Sequence, residues 1–206
     1  MDKYNTEQED FWANDFGHEY TERNSGETLI AAAHNLFSDV ISRTENVSSF
    51  LELGANRGLN LEAIKTLKPN AKISAVEINS TAAQHLKDTG DYEVFEQSIL
   101  DFSTEQTWDF TFTRGVLIHI APEKLDVVYD HLYNCSKRYI MVCEYYSPSP
   151  VALPYRNNQD KLFKRDFAGD LLDRFNDLKL IDYGFKYHRD VNFPQDDLTW
   201  FLLEKK

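Results

Sequence analysis

Cysteine is scarce in this chain of 206 residues, in which Cys135 and Cys143 are the two that occur. Both lie in apolar surroundings without the spacing of metal ligands, so we expect buried free thiols, no metal site and a reducing, cytoplasmic compartment. A run of about 18 apolar residues is also lacking, so no membrane-spanning helix is expected. The N-terminus is polar and acidic, which is unlike a signal or transit peptide.

Basic residues are few as well. The chain has 22 Lys and Arg against 34 Asp and Glu, a net charge of −12. This balance disfavours nucleic acids and anionic membranes as partners. Aromatic residues are abundant instead, with 14 Phe, 11 Tyr and 3 Trp, so we expect some of them to line a pocket. The expected partner is a small molecule, bound by a monomer or a homodimer.

Glycine occurs eight times, and Gly54 stands at the most informative place. The stretch Ser49 to Asn60 predicts a short strand, a turn at Gly54 and a helix from about Leu59, an arrangement that brings a nucleotide to bare backbone. The full G-x-G-x-x-G pattern is absent, because Asn56 and Asn60 occupy places where dinucleotide-binding turns favour glycine. The turn alone therefore leaves the nucleotide open.

Strands alternate with helices along most of the chain. This alternation predicts one α/β domain with a Rossmann-like, doubly wound and mostly parallel sheet that ends in an antiparallel hairpin. We divide it into a helical lid (1–45), a cofactor-binding core (46–144) and a substrate loop with the C-terminal hairpin (145–206). The predicted strands are 50–53, 72–78, 92–95, 108–113, 138–144, 178–188 and 198–203. The predicted helices are 27–43, 59–67, 79–87, 122–135 and 167–175, and 145–161 is expected to be irregular.

The N-terminal segment combines a helix start with aromatic side chains. Thr6 and Glu9 have the form of a capping box. Aromatic side chains follow, interrupted by Gly17 and interleaved with polar ones, which favours a lid or pocket wall over a helix at the domain edge. The aromatic residues are Phe11, Trp12, Phe16 and Tyr20, and the polar ones include Asn14, Asp15, His18, Arg23 and Asn24.

Glu77 narrows the choice of nucleotide. It closes the strand after the glycine turn, where a carboxylate can accept hydrogen bonds from both ribose hydroxyls. A dinucleotide would also need a turn that cradles a pyrophosphate, whereas S-adenosylmethionine has no diphosphate. A mostly parallel sheet that ends in an antiparallel strand resembles the class I S-adenosylmethionine-dependent methyltransferases, and this resemblance favours S-adenosylmethionine.

Four motifs together resemble the class I S-adenosylmethionine-dependent methyltransferases. They are F-L-E-L-G-A-N-R-G from Phe50, V-E-I-N from Val76, Gln97-Ser98-Ile99, and D-F-T-F-T-R-G-V-L-I-H-I from Asp109. The resemblance implies that the cofactor is S-adenosyl-L-methionine and that the product is S-adenosyl-L-homocysteine. The cofactor-binding residues it implies are Glu52, Gly54, Asn56, Glu77, Ile78, Ser98, Ile99, Arg114 and Gly115, to which we add Trp12 and Tyr20 of the lid.

Two further segments resemble the pseudaminic acid biosynthesis-associated methylases, which are small bacterial proteins encoded near genes for surface-glycan synthesis. The segments are F-W-x-x-x-F-G-x-x-Y-x-x-R-N from Phe11 and Y-R-N-x-x-D-K-L-F-K-R-D-F-A-G from Tyr155. Asn157 departs from the glycine expected there. The resemblance implies an acceptor from glycan metabolism without naming it.

Several side chains near the expected mouth of the pocket could act as a general base. They are His119, Glu144, His18, Asp166 and Tyr155. His119 titrates in the useful range and follows the fourth strand closely, although it could instead lie beside the helix that begins at Pro122. Glu144 could equally orient the substrate.

Cations in the two family-like segments suggest an anionic acceptor. The expected substrate-binding residues are Phe16, His18, Arg23, Arg156 and Lys164, with Arg165 nearby. Surface pairing with carboxylates is the alternative for these cations, and Arg23 could instead bind the cofactor's carboxylate.

These observations predict transfer of a methyl group to nitrogen or oxygen of a small, anionic acceptor such as a sugar-related or nucleotide-sugar-related metabolite. The alternatives are a protein that binds S-adenosylmethionine without transferring its methyl group, a small-molecule methyltransferase outside glycan metabolism and, more distantly, a dinucleotide dehydrogenase. A nucleic-acid base methyltransferase is disfavoured by the charge and by Thr113-Arg114-Gly115-Val116 in place of an N-P-P-Y-like motif.

Overall fold

A seven-stranded sheet forms the centre of the computed structural model, which describes residues 4, 6–23, 25–155 and 158–206, without the side chains of 154–161. The strands are β1 (Ser49–Leu53), β2 (Lys72–Glu77), β3 (Glu93–Glu96), β4 (Trp108–Arg114), β5 (Ser136–Glu144), β6 (Val151–Tyr155), β7 (Asn158–Lys164), β8 (Leu178–Lys186) and β9 (Leu198–Lys205). The helices are α1 (Glu7–Ala13), α2 (Asp15–Arg23), α3 (Glu27–Ile41), α4 (Leu59–Leu67), α5 (Ser80–Thr89), α6 (Leu125–Asn134) and α7 (Phe167–Arg174).

The order of strands in the large sheet is β3-β2-β1-β4-β5-β9-β8. The first five strands pair in parallel, while β9 is antiparallel to both β5 and β8. This confirms the predicted α/β fold with its C-terminal antiparallel hairpin. The chain adds β2 and β3 on one side of β1, and then β4 and β5 on its other side. The strand order therefore reverses between β1 and β4, and such a switch point opens a crevice at the carboxyl ends of the strands.

Both faces of the sheet are covered by helices. Phe50, Phe110 and Phe112 are fully buried in one core cluster, together with Phe37 of α3. Leu51 and its neighbours on the other face pack in a second cluster with α6. Strands that are buried on both faces tend to be apolar along their length, as β1 and β5 mostly are, whereas β4 alternates between aromatic and polar residues.

Two local predictions are wrong. The region 145–161, expected to be irregular, contributes most of a second, two-stranded sheet in which β6 and β7 pair antiparallel, with Val151 opposite Lys164. Prolines are tolerated in such a sheet because an edge strand need not donate from every residue.

In the N-terminal segment the break falls at Asn14, whereas Gly17 lies inside α2. Thr6 caps α1 as predicted, because its side chain accepts a hydrogen bond from the backbone N–H of Glu9.

None of the helices in the described part of the chain combines the length and apolarity needed to cross a bilayer.

Candidate functional site

A cavity of about 450 Å³ lies at the carboxyl edge of the parallel strands, under α1 and α2. The turn after β1, the end of β2, the segment after β3 and the end of β4 all contribute to its wall. The C-terminal half adds Tyr145 and the connection between β8 and β9. The predicted site residues that line it are Trp12, Tyr20, Gly54, Asn56, Glu77, Ile78, Ser98, Ile99, Arg114, Gly115 and His119.

Gly54 makes the turn after β1 possible. Its φ is +82°, and its N–H donates a 2.8 Å hydrogen bond to the carbonyl of Val76. A Cβ at this position would approach the Val116 side chain to 2.8 Å, closer than carbon atoms pack. Both the backbone conformation and the contact with Val116 therefore require glycine.

Glu77 is held by backbone groups at the cavity wall. Its carboxylate accepts hydrogen bonds from the N–H of Asn56 at 2.6 Å and from the N–H of Asn79 at 2.7 Å. Burial raises the pKa of this carboxyl, while the backbone hydrogen bonds act in the opposite direction. The bonds orient the carboxylate before any ligand arrives.

The lid formed by α1 and α2 is attached to the elements beneath it through polar contacts. The amide of Asn79 donates to the carbonyl of Trp12 at 3.2 Å, and Arg57 donates to the carbonyl of Thr21 at 3.2 Å. A Cβ on Gly17 would lie 1.8 Å from the Trp12 carbonyl oxygen, so the close packing of the two helices requires glycine there. These contacts keep Trp12 and Tyr20 over the cavity.

His119 lies on a short 3₁₀ turn after β4 and is 7% exposed. Its ring centroid is 4.7 Å from that of Trp12. The turn is supported from behind by Glu144, whose carboxylate accepts from the N–H of Val116 at 3.1 Å and of Leu117 at 3.2 Å. Burial raises the pKa of Glu144 to about 7 in spite of these bonds.

A row of hydrogen bonds crosses the side of the cavity beyond Gly54. Asn60 donates to Glu52 at 2.6 Å, Arg114 donates to Asn60 at 2.6 Å, and Arg114 also donates to Gln195 at 2.9 Å. Gln195 belongs to the connection between β8 and β9 and was not predicted as a site residue. No motif marks it, because its partner Arg114 is 81 positions away in the sequence. Asn60 could have been found from its place in the first turn of α4.

Three predicted carboxyl groups do not line the cavity. Glu52 is fully buried behind Asn60, and burial raises its pKa to about 8. Glu144 supports the turn that carries His119. Asp166 is the N-cap of α7, where it accepts from the N–H of Gly169 at 2.8 Å. Glu144 and Asp166 were expected near an acceptor, but neither lines the cavity, and each accepts hydrogen bonds from backbone N–H groups elsewhere.

The predicted substrate-binding side chains in the described residues also lie outside the cavity wall. Phe16 stacks on Phe11 with ring centroids 4.0 Å apart, and His18 bonds Thr81 at 2.9 Å. Arg23 donates to the carbonyl of Glu19, and the Lys164 ammonium lies 4.7 Å from the centre of the Tyr145 ring. Arg165, which was expected near them, pairs with Asp170 at 3.4 Å.

Asn24, Arg156 and Asn157 lie outside the described residues, as does the side chain of Tyr155.

No family model and no curated protein sequence matches this chain. Several solved structures do match this chain. A Burkholderia thailandensis 1,6-didemethyltoxoflavin-N1-methyltransferase with bound 1,6-didemethyltoxoflavin and S-adenosylhomocysteine has a TM-score of 0.73 at 13% identity, over 100% of this chain and 93% of that one. The chain has the class I methyltransferase fold.

Two other solved structures share this fold. The plantazolicin methyltransferase BpumL in complex with SAH has a TM-score of 0.67 at 14% identity, over 97% of this chain and 94% of that one. An S-adenosylmethionine-dependent methyltransferase from Clostridium acetobutylicum has a TM-score of 0.66 at 9% identity, over 92% and 97% of the two chains. At such identities the likeness concerns the fold alone.

Proposed function

We propose that this protein is an S-adenosylmethionine-dependent methyltransferase that acts on nitrogen or oxygen of a small acceptor. The observation that carries the proposal is the backbone-held carboxylate of Glu77 beside the Gly54 turn, in a cavity at the switch point of the sheet. The shared fold supports it, because two of the similar structures contain S-adenosylhomocysteine or SAH.

The turn fits S-adenosylmethionine better than a dinucleotide. The N–H of Asn56, which a pyrophosphate would need as a donor, already donates to Glu77 at 2.6 Å. Glu77 keeps acceptor capacity for ribose hydroxyls because each carboxylate oxygen can accept more than one hydrogen bond. Calorimetric titration with S-adenosylhomocysteine and with NAD tests this choice, and we expect binding of the first alone. Binding of NAD alone would contradict the proposal.

The cofactor supplies an electrophilic methyl group, and the protein's residues align the acceptor and exclude water. Trp12 and Tyr20 close the cavity from the lid side, and Gly54 leaves room at its floor. An acceptor amine or hydroxyl must lose a proton during transfer. His119, buried against Trp12, is the side chain that we propose to receive it.

Replacement of His119 tests this role. We expect His119→Ala and His119→Asn to lower kcat by about a hundredfold, the range of a lost general base, with little change in S-adenosylhomocysteine affinity. Turnover across pH 6 to 9 with the best acceptor of a panel, and calorimetry on each variant, are the measurements. Near-normal turnover of both variants over that range would exclude His119 as the base.

The acceptor is less constrained than the cofactor. Within the described part of the chain, Arg114 is the one lysine or arginine on the cavity wall. We therefore do not propose that the acceptor binds in a broad cationic recess. The aromatic side chains Trp12, Tyr20 and Tyr145 suit a small acceptor with an apolar face. A sugar-related acceptor remains our expectation from the family resemblance, and a panel that includes nucleotide sugars and aromatic heterocycles tests it.

A protein that binds S-adenosylmethionine without transferring its methyl group is the second candidate. The attached lid favours it, because α1 and α2 are held by side-chain contacts over the cavity that an acceptor must enter. Tight S-adenosylhomocysteine binding without turnover on any acceptor of the panel would support this candidate over the enzyme.

A further inference from the structure

Gln195 carries an unused hydrogen-bond donor on the cavity wall. Its side chain is 5% exposed and lines the cavity. Its Oε1 accepts from Arg114, whereas its Nε2 has no hydrogen-bond partner among the residues that the structure describes. A buried amide donor without a partner is costly, so such groups are rare unless a ligand or water uses them.

The orientation of this amide is determined by its neighbour. A guanidinium has donors and no acceptor, so Gln195 must turn its oxygen towards Arg114. Nε2 is thereby directed away from Arg114. Arg114 itself uses two of its five N–H donors on Asn60 and Gln195 among the described side chains, which leaves others for a ligand.

The strand order indicates which part of a ligand reaches this corner. Ser98 follows β3, Glu77 ends β2, Gly54 follows β1 and Arg114 ends β4, and these strands are neighbours in that order. Three strand spacings span roughly 14 Å along the cavity floor. If the adenosine moiety lies at β3 and β2, as the proposed function requires, the amino-acid tail reaches the end of β4.

We propose that Gln195 and Arg114 together bind the carboxylate of the cofactor's methionine moiety, with Gln195 donating from Nε2. The inference rests on the proposed function and names a residue of the β8–β9 connection as part of the cofactor site. A carboxylate satisfies the unused amide donor and pairs with the one Lys or Arg of the described cavity wall.

Two ligands that differ in the tail test the proposal. S-Adenosylhomocysteine has the amino-acid tail, and 5′-methylthioadenosine has the same adenosine thioether without it. Gln195→Met keeps the length of the side chain and removes the donor. We expect about a ten- to hundredfold loss of S-adenosylhomocysteine affinity in this variant, the effect of one charge-assisted hydrogen bond, with unchanged affinity for 5′-methylthioadenosine.

Gln195→Glu should lower S-adenosylhomocysteine affinity further, because it places a carboxylate against a carboxylate while still accepting from Arg114. Gln84→Met, at an exposed position on α5, is the matched control and should bind both ligands as the unmodified protein does. Retained 5′-methylthioadenosine binding shows that each variant is folded.

Two results would overturn the inference alone: unchanged S-adenosylhomocysteine affinity in Gln195→Met, or an equal loss for both ligands. Failure of the unmodified protein to bind S-adenosylhomocysteine would instead remove the proposed function together with the inference.

Discussion

Glu52 and Glu144 are buried carboxyl groups that act on the cavity through other residues. Glu52 is bonded to Asn60, and Glu144 is bonded to the backbone of the turn that carries His119. Burial raises the pKa of Glu52 to about 8 and that of Glu144 to about 7. Both groups therefore gain a proton more readily in the folded protein than in the unfolded chain.

This makes stability depend on pH with a definite sign. Between the unfolded pKa of about 4.3 and the folded value, the folded state keeps a proton that the unfolded state has released, so stability falls as pH rises. For Glu52 the window ends near pH 8. Glu52→Gln stays neutral and should remove this contribution.

We expect the thermal midpoint of Glu52→Gln minus that of the unmodified protein to increase as pH rises from about 5 to about 8.5. Scanning calorimetry at several pH values is the measurement, with Glu105→Gln at an exposed site as the control. Parallel midpoint curves for Glu52→Gln and the unmodified protein would show that Glu52 ionises normally.

At the scale of elements, Asn79 joins the lid to the helix under it. Its Oδ1 caps α5 by accepting from the N–H of Thr81 and Ala82, while its Nδ2 donates to the carbonyls of Trp12 and Ala13. One side chain therefore serves two elements with two different atoms.

Asn79→Ser separates these two roles, because serine is a good N-cap without a donor that reaches the lid. We expect faster hydrogen exchange in residues 7–23 and unchanged exchange in 80–89, since the cap survives while the attachment is lost. Asn79→Ala should speed exchange in both segments. Equal acceleration of both segments in Asn79→Ser would mean that the lid does not depend on this contact.

The elements also show what sequence reasoning could reach. β1, β2 and β5 were predictable because at least half of their residues are apolar, and β4 because apolar and polar residues alternate along it. The cap Thr6 was predictable because it precedes a helix with the right chemistry. β6 and β7 were missed because their pairing is visible in space and not in a periodic pattern.

The same distinction applies to the site. Gly54, Glu77 and Arg114 lie on the cavity wall because they end or follow strands of one sheet edge, which a sequence can indicate. Gln195 reaches the cavity because it belongs to the connection between the antiparallel strands β8 and β9. Glu144 is directed to the turn that carries His119 by backbone donors that no motif displays.

At the scale of the whole molecule, the cavity lies between the lid and the sheet, so a ligand should stabilise both. Binding at a concentration of a hundred times Kd adds about 2.7 kcal/mol to the free energy of unfolding. In a protein of this size that corresponds to a rise of about 5–10 °C in the thermal midpoint. We expect this rise with S-adenosylhomocysteine and not with NAD, measured by differential scanning fluorimetry. A midpoint that S-adenosylhomocysteine leaves unmoved would contradict a shared site between lid and sheet.

The position of Trp12 has an optical consequence. Trp108 and Trp200 are 4% and 3% exposed in the core, whereas Trp12 lines the cavity with its ring 4.7 Å from that of His119. Because a protonated imidazole quenches indole emission and a neutral one does so far less, the emission of Trp12 should follow the charge on His119. Of the three tryptophans, Trp12 is therefore the one whose fluorescence should report both a ligand entering the cavity and a proton arriving at His119.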